Sequence, residues 1–185
     1  MLTRFSFWLF HQLGWSFKGT RPTAKKYVMI AAPHTSNWDF VIGILARTAL
    51  GEKIHFLGKH TLFIPPWGWL FRAIGGSPVD RRKNNNLVDT AVTIFNQRDE
   101  YKLALAPEGT RKAVTHWKMG FYRIAHKANV PIVCIGFDFE NKKIVFADAI
   151  QTTGNIERDM SMVYAFYQNI KGRHPKDIPE FHIKK

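Results

Sequence analysis

Short apolar runs alternate with amphipathic stretches along nearly the whole chain. Tyr27-Val28-Met29-Ile30-Ala31-Ala32 is unbroken and is closed by Pro33, the pattern of a buried strand. Runs at 54–58, 77–80, 101–106, 130–136 and 143–147 predict further strands, and 62–74 reads as an aromatic turn and helix. Stretches at 40–50, 86–98, 120–128 and 156–170 predict helices; Met160, Val163, Tyr164 and Tyr167 share one side of the last. The alternation predicts an α/β fold: a single domain with a mainly parallel or mixed central sheet flanked by helices. No repeat and no low-complexity linker interrupts it.

The N-terminus has its own pattern. Leu2, Phe5, Leu9 and Leu13 fall on one helical face, with Arg4 and His11 on another. A spanning helix needs about 20 apolar residues, and polar residues interrupt this segment too often. No small-residue cleavage site follows it. The expectation is a short amphipathic helix lying in a membrane interface over residues 1–20, ahead of the main domain at 21–185. The alternative is a helix packed on the chain's own core.

Composition narrows the partner. Lys and Arg number 27 against 14 Asp and Glu, a formal charge of +13. Such a surface suits nucleic acid, anionic lipid or an acidic protein. No RNP-like aromatic strand or zinc-ligand cluster supports nucleic acid. The six Trp and fifteen Phe favour an anionic membrane surface, where aromatic rings settle at headgroup depth. His55, His60, His116 and His126 lack metal-ligand spacing, so no metal site is expected. The single cysteine, Cys134, excludes a disulfide framework within the chain, which is consistent with a cytosol-facing protein. Its apolar surroundings also argue against an acyl-enzyme nucleophile.

Two stretches carry chemistry. His34 and Asp39 in Pro33-His34-Thr35-Ser36-Asn37-Trp38-Asp39 offer a base and a carboxylate to orient it. Five positions on a helix rotate about 140°, so they would not share a helical face. They meet if His34 lies in the loop after the strand and Asp39 in the first turn of the next helix. Ser36 and Asp39 have capping-box spacing for that start. The second stretch, Ala106-Pro107-Glu108-Gly109-Thr110-Arg111, places an arginine beside a glycine turn. Together they describe a site that deprotonates a hydroxyl on an anionic substrate.

These stretches resemble the first and third motifs of the glycerolipid acyltransferases, the lysophosphatidic acid acyltransferase family. Gly75-Gly76-Ser77-Pro78-Val79-Asp80-Arg81-Arg82 is similar to the second motif and Val130-Pro131-Ile132-Val133 to the fourth. Lys59-His60-Thr61-Leu62, leading into Pro65-Pro66-Trp67-Gly68, resembles the family's approach to a Pro-x-x-Gly turn. The four motifs occur in order across roughly residues 27–136. Ala106 stands where the family commonly has Phe, and both ends of the chain are short.

The resemblance implies acyl transfer from an acyl-thioester, acyl-CoA or an acylated acyl carrier protein, to the hydroxyl of a lysolipid such as 1-acylglycerol-3-phosphate. No cofactor is implied. His34 would be the general base and Asp39 its partner. Arg81 and Arg111 would hold the acceptor phosphate, with Lys59 and Lys118 as further phosphate-binding candidates. Glu108, Gly109 and Thr110 would build the loop around it. The expected location is peripheral, on the cytoplasmic face of an inner membrane. The competing readings are a non-catalytic lipid- or phosphate-binding protein, and a nucleic-acid-binding protein suggested by charge alone.

Overall fold

The computed structural model describes residues 1–79, 87–179 and 181. Strands β1 (Ser16–Lys18), β2 (Lys26–Ala32), β3 (Ile54–Lys59), β4 (Gly76–Val79), β5 (Tyr101–Leu105), β6 (Ile132–Asp138) and β7 (Lys143–Phe146) form one sheet in the order β1-β7-β6-β2-β5-β3-β4. From β6 to β4 every neighbouring pair is parallel. β7 runs antiparallel to β6, and β1 lies parallel to β7. The mixed sheet follows from chain length between strands. β6 and β7 are joined by a short turn, which can only reverse direction, whereas the parallel neighbours are joined through helices.

Strand periodicity divides the core in two. Tyr27 and Met29 face one side of β2, Val28 and Ile30 the other, so both faces of this central strand are buried. On the first side helices α1 (Leu2–Gln12) and α2 (Asn37–Ala49) contribute Phe10, Ile42 and Ala46. A short helix α3 (Gly68–Ala73) flanks α2, its Phe71 ring 6.0 Å from that of Phe40. On the second side α4 (Leu87–Gln97), α5 (Gly120–Lys127) and α6 (Ile156–Tyr167) contribute Phe95, Phe121, Met160 and Val163. The fully buried Tyr167 hydroxyl donates to the Ile30 carbonyl at 2.7 Å and accepts the Ile135 amide at 3.1 Å, pinning α6 to β2 and β6.

Residues 1–20 are divided between roles. The helix ends at Gln12, Gly14 turns the chain at φ +79°, and Ser16–Lys18 joins the sheet edge. Ser6 and Phe10 bury against the domain, so the face carrying them belongs to the core. Met1, Leu2, Phe5, Phe7, Trp8 and Leu13 remain exposed. Among the described residues no helix is long and apolar enough to cross a membrane.

Candidate active site

Parallel neighbours end at the same edge of a sheet, and that edge is where open α/β sheets collect their sites. β2 and β5 are such neighbours, with Ile30 opposite Leu105. The loops that follow them therefore emerge side by side, one carrying His34 and the other Glu108.

The helix start fixes the first loop. Ser36 is the N-cap of α2, its hydroxyl accepting the Trp38 amide at 3.2 Å, and Asp39 closes the capping box. The buried Asp39 Oδ2 accepts the amides of Thr35 at 2.7 Å and Ser36 at 2.9 Å. The same oxygen lies 2.9 Å from His34 Nδ1. With a carboxylate on Nδ1, the proton belongs there, and Nε2 is left as the basic nitrogen. One aspartate thus caps the helix, ties down the loop and selects the tautomer. Capping of α2 and the contact with His34 are thus made by one side chain. His34 is partly exposed, with 26% of its side-chain surface accessible.

Glu108 is turned inward. Its Oε1 accepts the His34 backbone amide at 2.9 Å, which locks the second loop to the first. Gly109 follows at φ +65°, a turn that suits glycine.

Beside the dyad, an apolar cavity of about 220 Å³ lies between α2 and the sheet. His34, Asp39 and Phe40 line it at one end, Leu50, Glu52 and Arg21 at the other, and Met29, Gly43, Ile135 and Phe137 along its walls. From Asp39 to Leu50 the helix rises about 16 Å, so the cavity is long and narrow.

Over residues 16–138 the sequence matches the acyltransferase family. The chain belongs to that family. The crystal structure of PlsC, the 1-acyl-sn-glycerophosphate (LPA) acyltransferase of Thermotoga maritima, shares the fold: TM-score 0.62 at 17% identity, over 95% of this chain and 80% of that one. No curated protein matches the sequence.

Of the remaining residues expected of an acyltransferase site, Lys59, Thr110, Arg111 and Lys118 lie around this edge. Lys59 ends β3 and is exposed. Thr110 and Arg111 continue the loop after β5, Arg111 exposed and Thr110 half-buried. The exposed Lys118 returns to the same loop: its amide donates to the Pro107 carbonyl at 2.8 Å, and a Cβ at Gly109 would lie 3.2 Å from its Nζ. Arg81 lies outside the described residues. Cys134 is fully buried in β6; burial pushes its thiol up to about 12, against a smaller opposing effect of a Tyr167 bond. Its surroundings keep it a thiol, not a nucleophile.

One residue of the site was missed by sequence reasoning. Lys176 is 142 positions from His34, yet its ammonium sits on Glu108 Oε2, donates to the His34 carbonyl at 3.1 Å and lies 3.4 Å from the Thr110 carbonyl. Its side chain is 4% exposed and that of Glu108 1%. The tail reaches this position because Gly172 lets it pass over the first motif. A Cβ there would come within 2.7 Å of the Thr35 methyl group and 3.0 Å of Pro33. Burial draws the Lys176 ammonium down from its usual range and the Asp39 charge opposes that. Nothing in Pro175-Lys176-Asp177 distinguishes this lysine from the other basic residues of the chain.

Proposed function

We propose that this acyltransferase moves an acyl group from an acyl-thioester to the hydroxyl of a lysophospholipid of the 1-acylglycerol-3-phosphate type. The observation that carries the reading is the His34–Asp39 pair at the mouth of a long apolar cavity, on the edge that also presents Arg111 and Lys118. The cavity takes the acyl chain of the donor, and the cationic loop takes the acceptor phosphate. His34 Nε2 removes the proton of the acceptor hydroxyl as its oxygen attacks the thioester carbonyl. Asp39 stabilises the imidazolium that forms. The C–O bond forms, the C–S bond breaks, and the proton passes from His34 to the departing thiolate. A thiol of ordinary pKa about 8.5 leaves readily, so the site needs no strong general acid.

The acceptor is a membrane lipid, and the exposed Phe5 and Trp8 on α1, with the +13 charge, support peripheral binding to an anionic membrane surface on its cytoplasmic face. The test is thiol release with a panel of lysolipids, each offered with acyl-CoA and with an acylated acyl carrier protein. Release that depends on a phosphate-bearing lysolipid and yields its diacyl product supports the reading. Lipid binding without thiol release for any donor refutes catalysis and leaves a binding protein.

A further inference from the structure

The segment after β3 is folded firmly yet turns its largest apolar side chains outward. A 3-10 turn, His60–Phe63, leads through Pro65 and Pro66 into α3. Phe63 is the internal anchor. It is buried, its carbonyl accepts from the Arg72 guanidinium at 3.0 Å, and that guanidinium lies 5.6 Å over its ring. Gly68 closes the turn, its amide bonded to the Ile64 carbonyl at 3.0 Å, where a Cβ would stand 2.1 Å from the Phe63 carbonyl oxygen. On this frame Ile64, Trp67 and Trp69 are 57, 64 and 69% exposed, with Leu62 and Leu70 beside them. Scattered exposed apolar residues need no explanation; two tryptophans and an isoleucine grouped on one braced tip do.

The place of the tip says what covers it. It leaves the carboxyl end of β3, which is parallel to β5, so it stands on the same edge as His34 and Glu108. Phe71 of α3 touches Phe40, which lines the mouth of the apolar cavity. Exposed cations flank the tip: Lys59 precedes it, and Arg111 and Lys112 follow the neighbouring strand. Tryptophans bordered by cations match a bilayer surface, where indoles settle at the headgroup level and lysines and arginines meet anionic lipid.

We propose that residues 62–70 form a membrane contact separate from α1, which inserts Ile64, Trp67 and Trp69 into an anionic leaflet and sets the cavity mouth against it. This rests on the reading of the acceptor as a membrane lipid. The lysolipid then reaches His34 from the leaflet without passing through water, and the long chain of the donor has an apolar route into the cavity.

The experiment uses single cysteines carrying an environment-sensitive fluorophore at Ile64→Cys, Trp69→Cys, Phe5→Cys and Asp99→Cys. Cys134 is fully buried, so the unsubstituted protein is the labelling blank. Asp99 is exposed at the amino end of β5, on the opposite edge of the sheet. Vesicles of phosphatidylcholine with phosphatidylglycerol should shift the emission of the labels at 64 and 69 to the blue and leave that at 99 unchanged. No shift at 64 and 69 overturns the proposal; if the label at 5 still shifts, peripheral binding stands and the tip alone is wrong. An equal shift at 99 also overturns it, since it signals unspecific burial. In the double variant Trp67→Ala/Trp69→Ala, turnover of vesicle-borne lysolipid should fall about 10-fold or more. Turnover of a dispersed short-chain analogue should hold. Equal losses on both would mark the tip as a structural element. The label readout needs no turnover, so failure of the catalytic reading would leave it intact.

Discussion

Lys176 and Glu108 form a buried ion pair behind His34, and the two oxygens of Glu108 divide their partners. One takes the Lys176 ammonium, the other the His34 amide. The lysine also holds the His34 carbonyl, so both backbone groups of His34 are gripped by this pair. Breaking one partner of a buried pair costs about 3–5 kcal/mol because a charge is left uncompensated. Lys176→Met should therefore lower stability by that order. It should also lower kcat of the folded fraction at low temperature, with the donor KM little changed, because His34 loses its anchor. The double variant Lys176→Met/Glu108→Gln, which leaves no stranded charge, should recover stability but not kcat. Full recovery of both would reduce the pair to a structural brace.

Much of this site was readable in the chain before it folded, and the reason is locality. His34, Ser36 and Asp39 lie within one loop and one helical turn, where capping chemistry dictates geometry, so their meeting follows from spacing. The strands β2 and β6 announce themselves by continuous apolar runs, and β5 by one broken only at Lys102. The run at 143–147 marks β7 but not its antiparallel direction, and the three residues of β1 carry too little pattern to be read at all. The face of α1 marked by Leu2, Phe5 and Leu13 is exposed, and the face that packs on the domain, Ser6 and Phe10, is set by the surface of α2 it meets and has no apolar pattern of its own. Lys176 depends on a tail folding back across the first motif, a long-range event with no local signature.

The base is tested by His34→Ala. It removes the nitrogen that accepts the proton while leaving the capping box of α2 intact, so the fold should persist and turnover should fall by about 10²–10⁴. Asp39→Asn should be comparably damaging, since an amide cannot stabilise the imidazolium. It should also cost stability, because Asp39 holds the Thr35 and Ser36 amides. Steady-state thiol release, normalised to folded protein by near-UV circular dichroism, measures both. Turnover near that of the unsubstituted enzyme in His34→Ala excludes the mechanism.

Arg111 and Lys118 are expected to act on the acceptor. A charge-assisted hydrogen bond to phosphate is worth about 1.5–3 kcal/mol. Arg111→Ala should thus raise the acceptor KM roughly 10- to 100-fold, and Lys118→Ala less, as a point charge without a fork. The donor KM should move little. If only the donor suffers, the loop grips the donor's phosphates and the assignment reverses.

Acid stability should carry the mark of Asp159. Its carboxylate is fully buried at the start of α6 and accepts the Thr153 amide, the Thr153 hydroxyl and the Tyr122 hydroxyl, each at 2.8 Å. Burial alone would raise its pKa, but these bonds together with the Arg158 charge outweigh it and hold the pKa below the ordinary value. A depressed carboxylate stabilises the fold above its unfolded pKa of about 3.9 and loses that contribution as pH falls through the folded value. Asp159→Asn should be destabilised at neutral pH and approach the unsubstituted protein below about pH 4. Urea midpoints across that range measure the difference; parallel curves at all pH values would show that the charge of Asp159 contributes nothing.

The cavity makes the last prediction, through Gly43. Glycine inside a helix costs about 1 kcal/mol relative to alanine, so its presence in α2 asks for a reason. The residue lines the cavity, and a Cβ there would lie 3.3 Å from the Phe137 ring on the opposite wall. Gly43→Ala adds one methyl at that contact. Its gain in helix propensity should be largely offset, leaving stability within about 1 kcal/mol. Gly43→Leu drives a full side chain across a passage of about 220 Å³ and should block it part-way from the dyad. Donors with long acyl chains should then lose kcat/KM by about 10- to 100-fold, because most of their buried methylenes, each worth about 0.8 kcal/mol, find no space. Donors with chains short enough to stop before position 43 should keep theirs. The ratio between long and short donors is the readout, since it cancels any general loss of folded enzyme. A ratio that does not move would place the acyl chain somewhere other than between α2 and the sheet.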